Sequence, residues 1–309
     1  MNEQAPGDCD ISVALPREQH AGLELVLADV PPARRSKYVA QLIESARQGR
    51  VDLAGLLIAR RHGDMVGAVW GQPQPGRTAS VWPPAVVDQQ AACDGLLLNE
   101  LIAWLESNDI RVAQSLLRGK TAQQAALLMD HGFAHLADLL YMVCPAGQFP
   151  RDPPTSSLII EPAPQTDVRR LPEMIARTYE ETLDCPQLNG VRDLDDVLAG
   201  YRACGEFDPA RWLIARRGEQ DVGCLLLADH PDEDQWELVY AGLVPEERGR
   251  GDGRVLTRYA QFLAGQAGRA RLVLAVDAAN APAVATYERA GFVAWDRRSA
   301  YLRIFPHGG

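Results

Sequence analysis

The feature of this 309-residue sequence that most constrains its fold is a repeat of element order. In the second half a strand at Leu158–Glu161 precedes helical stretches near Leu171–Leu183 and Leu194–Cys204. Strands follow at Arg211–Arg216, Asp221–Ala228 and Trp236–Val244, then a helix over Gly253–Ala267. A strand at Arg271–Val276, a helix over Ala281–Ala290 and a strand at Phe292–Ile304 complete the series. The first half runs through the same order. A strand at Ile11–Leu15 leads to helices near His20–Leu27 and Ala33–Ala46, then strands at Leu53–Arg60, Met65–Gly71 and Ala79–Trp82. A helix over Gly95–Glu106, a strand at Ile110–Leu116, a helix over Ala122–Asp130 and a strand at Phe133–Val143 close it. Gly132-Phe133 and Gly291-Phe292 punctuate equivalent places, where a glycine suits the left-handed end of a helix before a strand. The expected fold is α/β, as two tandem domains, each a mixed central sheet flanked by helices. The proline-rich run PAGQFPRDPPTSS at 145–157 is the expected linker, dividing residues 1–144 from 158–309.

Within the second half, Val255, Leu256, Tyr259, Phe262 and Leu263 recur at helical spacing and predict one buried stripe. No run of 18 apolar residues is present, and the first ten residues lack the basic and apolar regions of a secretion signal. A cytoplasmic protein without a membrane partner is expected. The formal net charge of −10 argues against non-specific nucleic-acid binding. The six cysteines form no C-x-x-C pair and read as mostly reduced, structural thiols. The histidines show no metal-ligand spacing, and no metal is expected.

The chemistry-bearing stretch is Glu237-Leu238-Val239-Tyr240-Ala241-Gly242-Leu243-Val244-Pro245, followed by Glu246-Glu247-Arg248-Gly249-Arg250-Gly251-Asp252-Gly253. An R-x-x-G-x-G pattern between a strand and a helix suits a pyrophosphate. Glycines admit the ligand to the backbone, and the amides of a helix start are unpaired and partly positive. Arg248, Arg250 and Arg254 add charge at the same place. Further on stands Asn280-Ala281-Pro282-Ala283-Val284-Ala285-Thr286-Tyr287-Glu288-Arg289-Ala290-Gly291-Phe292.

Together these residues resemble the GNAT superfamily of acyl-CoA N-acyltransferases, closely over the last 75 residues. The resemblance implies a sheet whose fourth and fifth strands splay, with acetyl-CoA as co-substrate in the wedge. It implies that Leu243 and Val244 offer backbone groups to the pantetheine and acetyl carbonyl. Residues Arg248, Gly249, Arg250, Gly251, Asp252 and Gly253 would hold the pyrophosphate, and Asn280 would contact the pantetheine arm. Tyr287 would be the general acid beside the sulfur. The tandem arrangement, the glutamate and the late Ser299-Ala300-Tyr301-Leu302 strand look like enzymes of the mycothiol synthase type, which implies a general base at Glu237. The residue types suit these tasks. An ammonium must lose a proton before it can attack, which a carboxylate can accept; a tyrosine hydroxyl is protonated at neutral pH and can donate.

In the first half, Gln90, Cys93 and Gly95 fall opposite Arg248, Gly251 and Gly253. Ala79 falls opposite Glu237, and Thr121 and Leu128 opposite Asn280 and Tyr287. Trp82-Pro83-Pro84 replaces the strand residues that would donate amides to the cofactor, and proline cannot donate. A catalytically silent first domain is expected. Gly119-Lys120-Thr121 lacks the first glycine of a phosphate-binding P-loop. The expected function is acetyl transfer from acetyl-CoA to a primary amine, on a small molecule or peptide. The rivals are a non-catalytic acetyl-CoA-binding regulator, which would need only the glycine loop, and a chain whose first domain serves as an interaction module.

Overall fold

The computed structural model describes residues 9–87, 92–119, 122–164 and 166–305. In chain order the elements are β1 (Asp10–Val13), α1 (Gln19–Val26), α2 (Pro32–Arg47), β2 (Leu56–Arg61), β3 (Asp64–Gln74), β4 (Thr78–Val86), α3 (Ala92–Ser107), β5 (Val112–Arg118), α4 (Ala122–Asp130) and β6 (Ala134–Pro145). Then come β7 (Ile159–Pro162), α5 (Arg170–Tyr179), α6 (Leu194–Arg202), β8 (Trp212–Arg217), β9 (Gln220–His230), β10 (Gln235–Leu243), α7 (Asp252–Gln266), β11 (Arg271–Asp277), α8 (Ala281–Arg289) and β12 (Val293–Ile304). The repeat of element order is realised. Among the described residues, no helix is long and apolar enough to cross a membrane.

Two compact units form, and their composition differs from a division at 145–157. One comprises residues 1–136 and 299–309; the other comprises 137–298. The physical reason lies in the strands. The C-terminal part of β6 ladders with β11 in the second unit, from Arg271↔Pro145 to Asp277↔Leu139. Tyr301 and Phe305 are buried in the first unit's core beside Leu97, Leu101 and Phe133. The 145–157 stretch therefore lies inside the second unit, and it begins with a 3-10 turn at Ala146–Gln148.

The first unit's strands run in the order β1-β2-β3-β4-β5-β12 and the second's in the order β6-β11-β10-β9-β8-β7. In each unit four consecutive strands pair antiparallel, and one parallel pairing follows, β4 with β5 and β10 with β11. Alternation along a strand sends side chains to opposite faces. In β9, Leu225 and Leu227 join the layer that includes Ala260 and Ala264 of α7. Cys224 and Leu226 join the layer that includes Met174 and Ile175 of α5. In β2, Leu57 and Ala59 face α3, while Leu56 and Ile58 face α1 and α2.

The stripe expected on α7 is shifted. Beyond Asp252 at its start, the buried positions are Leu256, Thr257, Ala260, Gln261 and Ala264. Val255, Tyr259, Phe262 and Leu263 are only half-buried. Small residues on the inner line let the helix lie close to the sheet. Gln261 then satisfies its amide by donating to the Ala290 carbonyl at 2.8 Å.

The cysteines differ from expectation at one pair. Cys9 and Cys93 are joined by a disulfide, while Cys144, Cys185, Cys204 and Cys224 are free thiols. The two bonded residues stand 84 apart in sequence, so spacing could not reveal the pairing.

Candidate active site

The strands β10 and β11 ladder over only three residues, Gln235↔Arg271, Trp236↔Leu272 and Glu237↔Val273. Beyond Glu237, β11 continues along β6 and β10 along β9, so the two strands part. Glu237 is the last residue of β10 before the gap. Its neighbours Trp236 and Leu238 are buried in the layer under α7 and α8, so alternation places Glu237 on the opposite face. Tyr287 packs into the α7–α8 layer, its ring 5.8 Å from that of Phe292. The carboxylate and the phenol thus approach from opposite faces of the sheet, and a gap between strands is where groups so placed can share a ligand.

A β-bulge in β10 between Leu238 and Tyr240 leaves Val239 outside the ladder with β9. A bulge of this kind frees backbone groups from the sheet. Leu243 and Val244 follow further along the chain. The Val244 amide donates to the Val222 carbonyl at 3.0 Å, and the Leu243 carbonyl accepts from Arg248. Both of those backbone groups are already engaged.

After β10 the chain makes a 3-10 turn at Pro245–Glu247 and enters α7 through glycines with φ of +78° at Gly249 and +89° at Gly251. Only glycine adopts this left-handed conformation readily. A Cβ built on either would meet nothing within 4 Å, so the concave side of the loop is open. Among the described residues, no protein acceptor takes the amides of Gly249, Arg250, Gly251, Asp252 or Gly253. These are the groups a pyrophosphate needs, five donors at the positive end of a helix. The loop also neighbours the helix of Tyr287, since a Cβ on Gly253 would lie 3.9 Å from Thr286 Cγ2.

The arginines are placed differently from expectation. Arg248 turns away from the glycines. Its guanidinium donates to the carbonyls of Leu243, Glu181, Thr178 and Glu180 at 2.7–3.0 Å. The exposed carbonyls at the C-terminal end of α5 carry partial negative charge, and a fork of donors is well suited to them. Arg250 pairs with Glu247 at 3.3 Å and donates to the Glu246 carbonyl. Arg254, exposed on the first turn of α7, is in no ion pair among the described residues. Asp252 is buried, and its carboxylate accepts from Arg217 at 2.5 Å. A carboxylate there suits the helix dipole, and it leaves only the backbone of Asp252 for an anion.

Asn280 caps α8, its side-chain oxygen accepting from the Ala283 amide at 3.3 Å. The Tyr287 hydroxyl has no protein partner among the described residues, and burial pushes its pKa well above the ordinary phenol value. It is therefore a protonated donor throughout the neutral range. Gln90 and Thr121, opposite Arg248 and Asn280 in the repeat, and Lys120 lie outside the described residues.

Two groups near these positions escaped the sequence reading. His230 Nε2 lies 2.9 Å from Glu237 Oε2. Asp184, in the loop after α5, accepts from the Asp277 amide at 3.0 Å, and its charge bears on Tyr287. Counting alternation through the β9–β10 hairpin could have found the first, since Gln235 pairs with His230 and Glu237 with Ala228, diagonal neighbours on one face. No spacing signals the second.

Residues 175–292 match the family model for the acetyltransferase (GNAT) family. Residues 175–292 thus carry a domain of the GNAT acetyltransferase type. Among relatives, a mycothiol acetyltransferase of Streptomyces bingchenggensis is 39% identical over 114 residues, 36% of this chain and 35% of that protein. The mycothiol acetyltransferase of Catenulispora acidiphila is 31% identical over 189 residues, 59% of this chain and 58% of that protein. The aligned stretches thus span from about a third to under two thirds of these relatives' lengths. Two solved structures share the fold. A GCN5-related N-acetyltransferase from Sphaerobacter thermophilus superimposes with a TM-score of 0.69 at 17% identity, covering 99% of this chain and 98% of its own. A tandem GNAT protein from the clavulanic acid biosynthesis pathway does so at 0.55 and 13% identity, covering 97% and 100%.

Proposed function

We propose that this protein is an N-acetyltransferase that moves an acetyl group from acetyl-CoA to a primary amine in its second unit. Acetyl-CoA supplies the acetyl group as an activated thioester. The amides of residues 249–253 would hold its pyrophosphate, with Arg254 adding charge. Val239 would offer backbone groups in the gap. Glu237 takes the proton that frees the amine lone pair, and Tyr287 gives a proton to the departing sulfur. The observation that carries this reading is that Glu237 is the last β10 residue laddered to β11, on the face opposite Tyr287. A pure acetyl-CoA sensor would need neither group. The names of the relatives suggest a mycothiol-related amine as the acceptor. The first unit is read as silent: Leu128 is buried in its core where the second unit has Tyr287, and Cys93 is tied in a disulfide where the second has Gly251.

Calorimetry with acetyl-CoA and thiol release against a panel of primary amines test this together. Binding with amine-dependent release is expected. Tight binding with no release for any amine, mycothiol precursors included, would favour the regulator; no binding at all would defeat both readings.

A further inference from the structure

His230 is the one side chain hydrogen-bonded to Glu237 among the described residues, and the pair is half-open, with 24% and 31% of the two side chains exposed. The fold makes room for the imidazole. At Gly205, with φ +57°, an added Cβ would clash with the Asp229 carbonyl oxygen and come within 3.0 Å of His230 Cε1 and Nε2, so a glycine lets the segment after α6 pass this close. The backbone around it is pinned by Glu206, whose amide donates to the Asp229 carbonyl at 2.7 Å. Asp229 is fixed in turn by Arg269, through two bonds of 2.8 Å.

We propose that His230 is a positioning residue for the reaction, holding Glu237 Oε2 so that Oε1 is presented to the acceptor and setting the pH at which that oxygen works as a base. The inference rests on the reading of Glu237 as the base. The proton step is simple: an N–H or O–H bond of the acceptor breaks as the Oε1–H bond forms, while the imidazole N–H keeps its bond to Oε2. An imidazolium at Oε2 opposes the arrival of a proton at Oε1 by its charge, and a neutral imidazole does not. Activity should therefore rise with pH through the titration of His230.

The charged groups around the pair act in the same direction. Glu237 on β10, Glu233 in the hairpin and Asp229 on β9 all favour the imidazolium, Glu237 most through its hydrogen bond, against the opposing effect of burial. Cys204 just after α6 and Tyr141 on β6 are kept neutral mainly by burial, with the charge of Glu237 a smaller contribution in the same direction. The titration should then fall above the ordinary histidine value.

The test uses the full chain saturated with acetyl-CoA, with water as the acceptor, because water does not titrate and the rising limb then reports the protein alone. His230→Gln keeps an N–H donor and removes the titration; His230→Ala removes both. The expected result is loss of the limb in both variants and a roughly 10-fold slower hydrolysis in the alanine variant only, with acetyl-CoA affinity unchanged. Imidazole NMR should place the His230 midpoint at the wild-type limb and lower it in Glu237→Gln. An unchanged limb and rate in folded His230→Ala, or an unmoved midpoint in Glu237→Gln, overturns the proposal. Wild-type hydrolysis by Glu237→Gln instead overturns the base itself.

Discussion

Arg248 donates its Nε–H to the Leu243 carbonyl at 3.0 Å, clasping the end of β10 from the far side of the turn that leads into the glycine loop. The same guanidinium reaches three carbonyls at the end of α5 and just beyond it, those of Thr178, Glu180 and Glu181. The first arginine of the R-x-x-G-x-G pattern thus braces the loop's entrance through backbone carbonyls. Arg248→Ala should lower stability by about 2 kcal/mol, since hydrogen bonds to a charged group are worth roughly 1.5–3 kcal/mol each and water can reach some of the freed carbonyls. Acetyl-CoA affinity should fall with it, because the loop loses its brace. Urea unfolding and calorimetry on one preparation check this. Undiminished stability would show that the carbonyl contacts are ornamental.

The Cys9–Cys93 disulfide ties the start of β1 to the first turn of α3 across 84 residues. A cross-link over such a span removes much unfolded-chain entropy, about 4–5 kcal/mol in the simplest estimate and often less in practice. Reductant should lower Tm in the wild type, and Cys9→Ser should reproduce the reduced value and be insensitive to reductant. Identical melting of all three samples would show that the bond contributes nothing to stability.

Gly251→Val should abolish acetyl-CoA binding while leaving the fold intact. The open space around Gly251 means that a side chain strikes no protein atom. Its φ of +89° strains any L-residue and a β-branched one most. The penalty is on the order of 1–3 kcal/mol, small enough for a folded protein to bear. The loss of binding would come from isopropyl bulk beside the amides and from a loop that relaxes away from the left-handed turn. Calorimetry should be done on the whole chain. A cut at 145–157 would separate the first unit from residues 299–309, including Tyr301 and Phe305 of its core. Retained affinity in a folded variant would move the cofactor elsewhere.

The element order was legible because alternation and helical periodicity each report which residues face inward, and both halves carry strong signals. The glycine loop was legible for a related reason, since Gly249 and Gly251 occupy backbone conformations that exclude most alternatives. What periodicity does not report is register and direction. The bulge at Val239 depends on how β10 aligns with β9, one residue out of phase. The orientation of Arg248 depends on where α5 ends in space, 70 residues earlier in the chain. The same limit hid His230, which meets Glu237 only through hairpin register, and the exchange of strand segments that makes residues 299–309 part of the first unit. The inner line of α7 does not show in a hydrophobic pattern because Ala260 and Ala264 carry little hydrophobic weight, yet close packing selects small residues there.

Tyr287→Phe offers the clearest separation of acid from scaffold. The ring packs against Phe292, and a phenylalanine preserves that contact, so stability should change by less than about 1 kcal/mol. What is lost is one hydroxyl without a protein partner, poised to donate. General acid assistance is typically worth about 10²–10⁴-fold, and kcat should fall on that scale with acetyl-CoA affinity nearly unchanged. The pH dependence sharpens the test. Burial, with the charge of Asp184 as a smaller contribution, raises the phenol pKa above its ordinary value. The acid form is therefore fully present across the neutral range and is lost only as pH climbs above the usual tyrosine range. Wild-type kcat should show no descending limb from Tyr287 below about pH 10. The phenylalanine variant should be slower by a constant factor over the whole window. A descending limb near neutrality that vanishes in the variant would mean that the phenol titrates low. A variant as fast as wild type on a verified amine would remove Tyr287 from the chemistry.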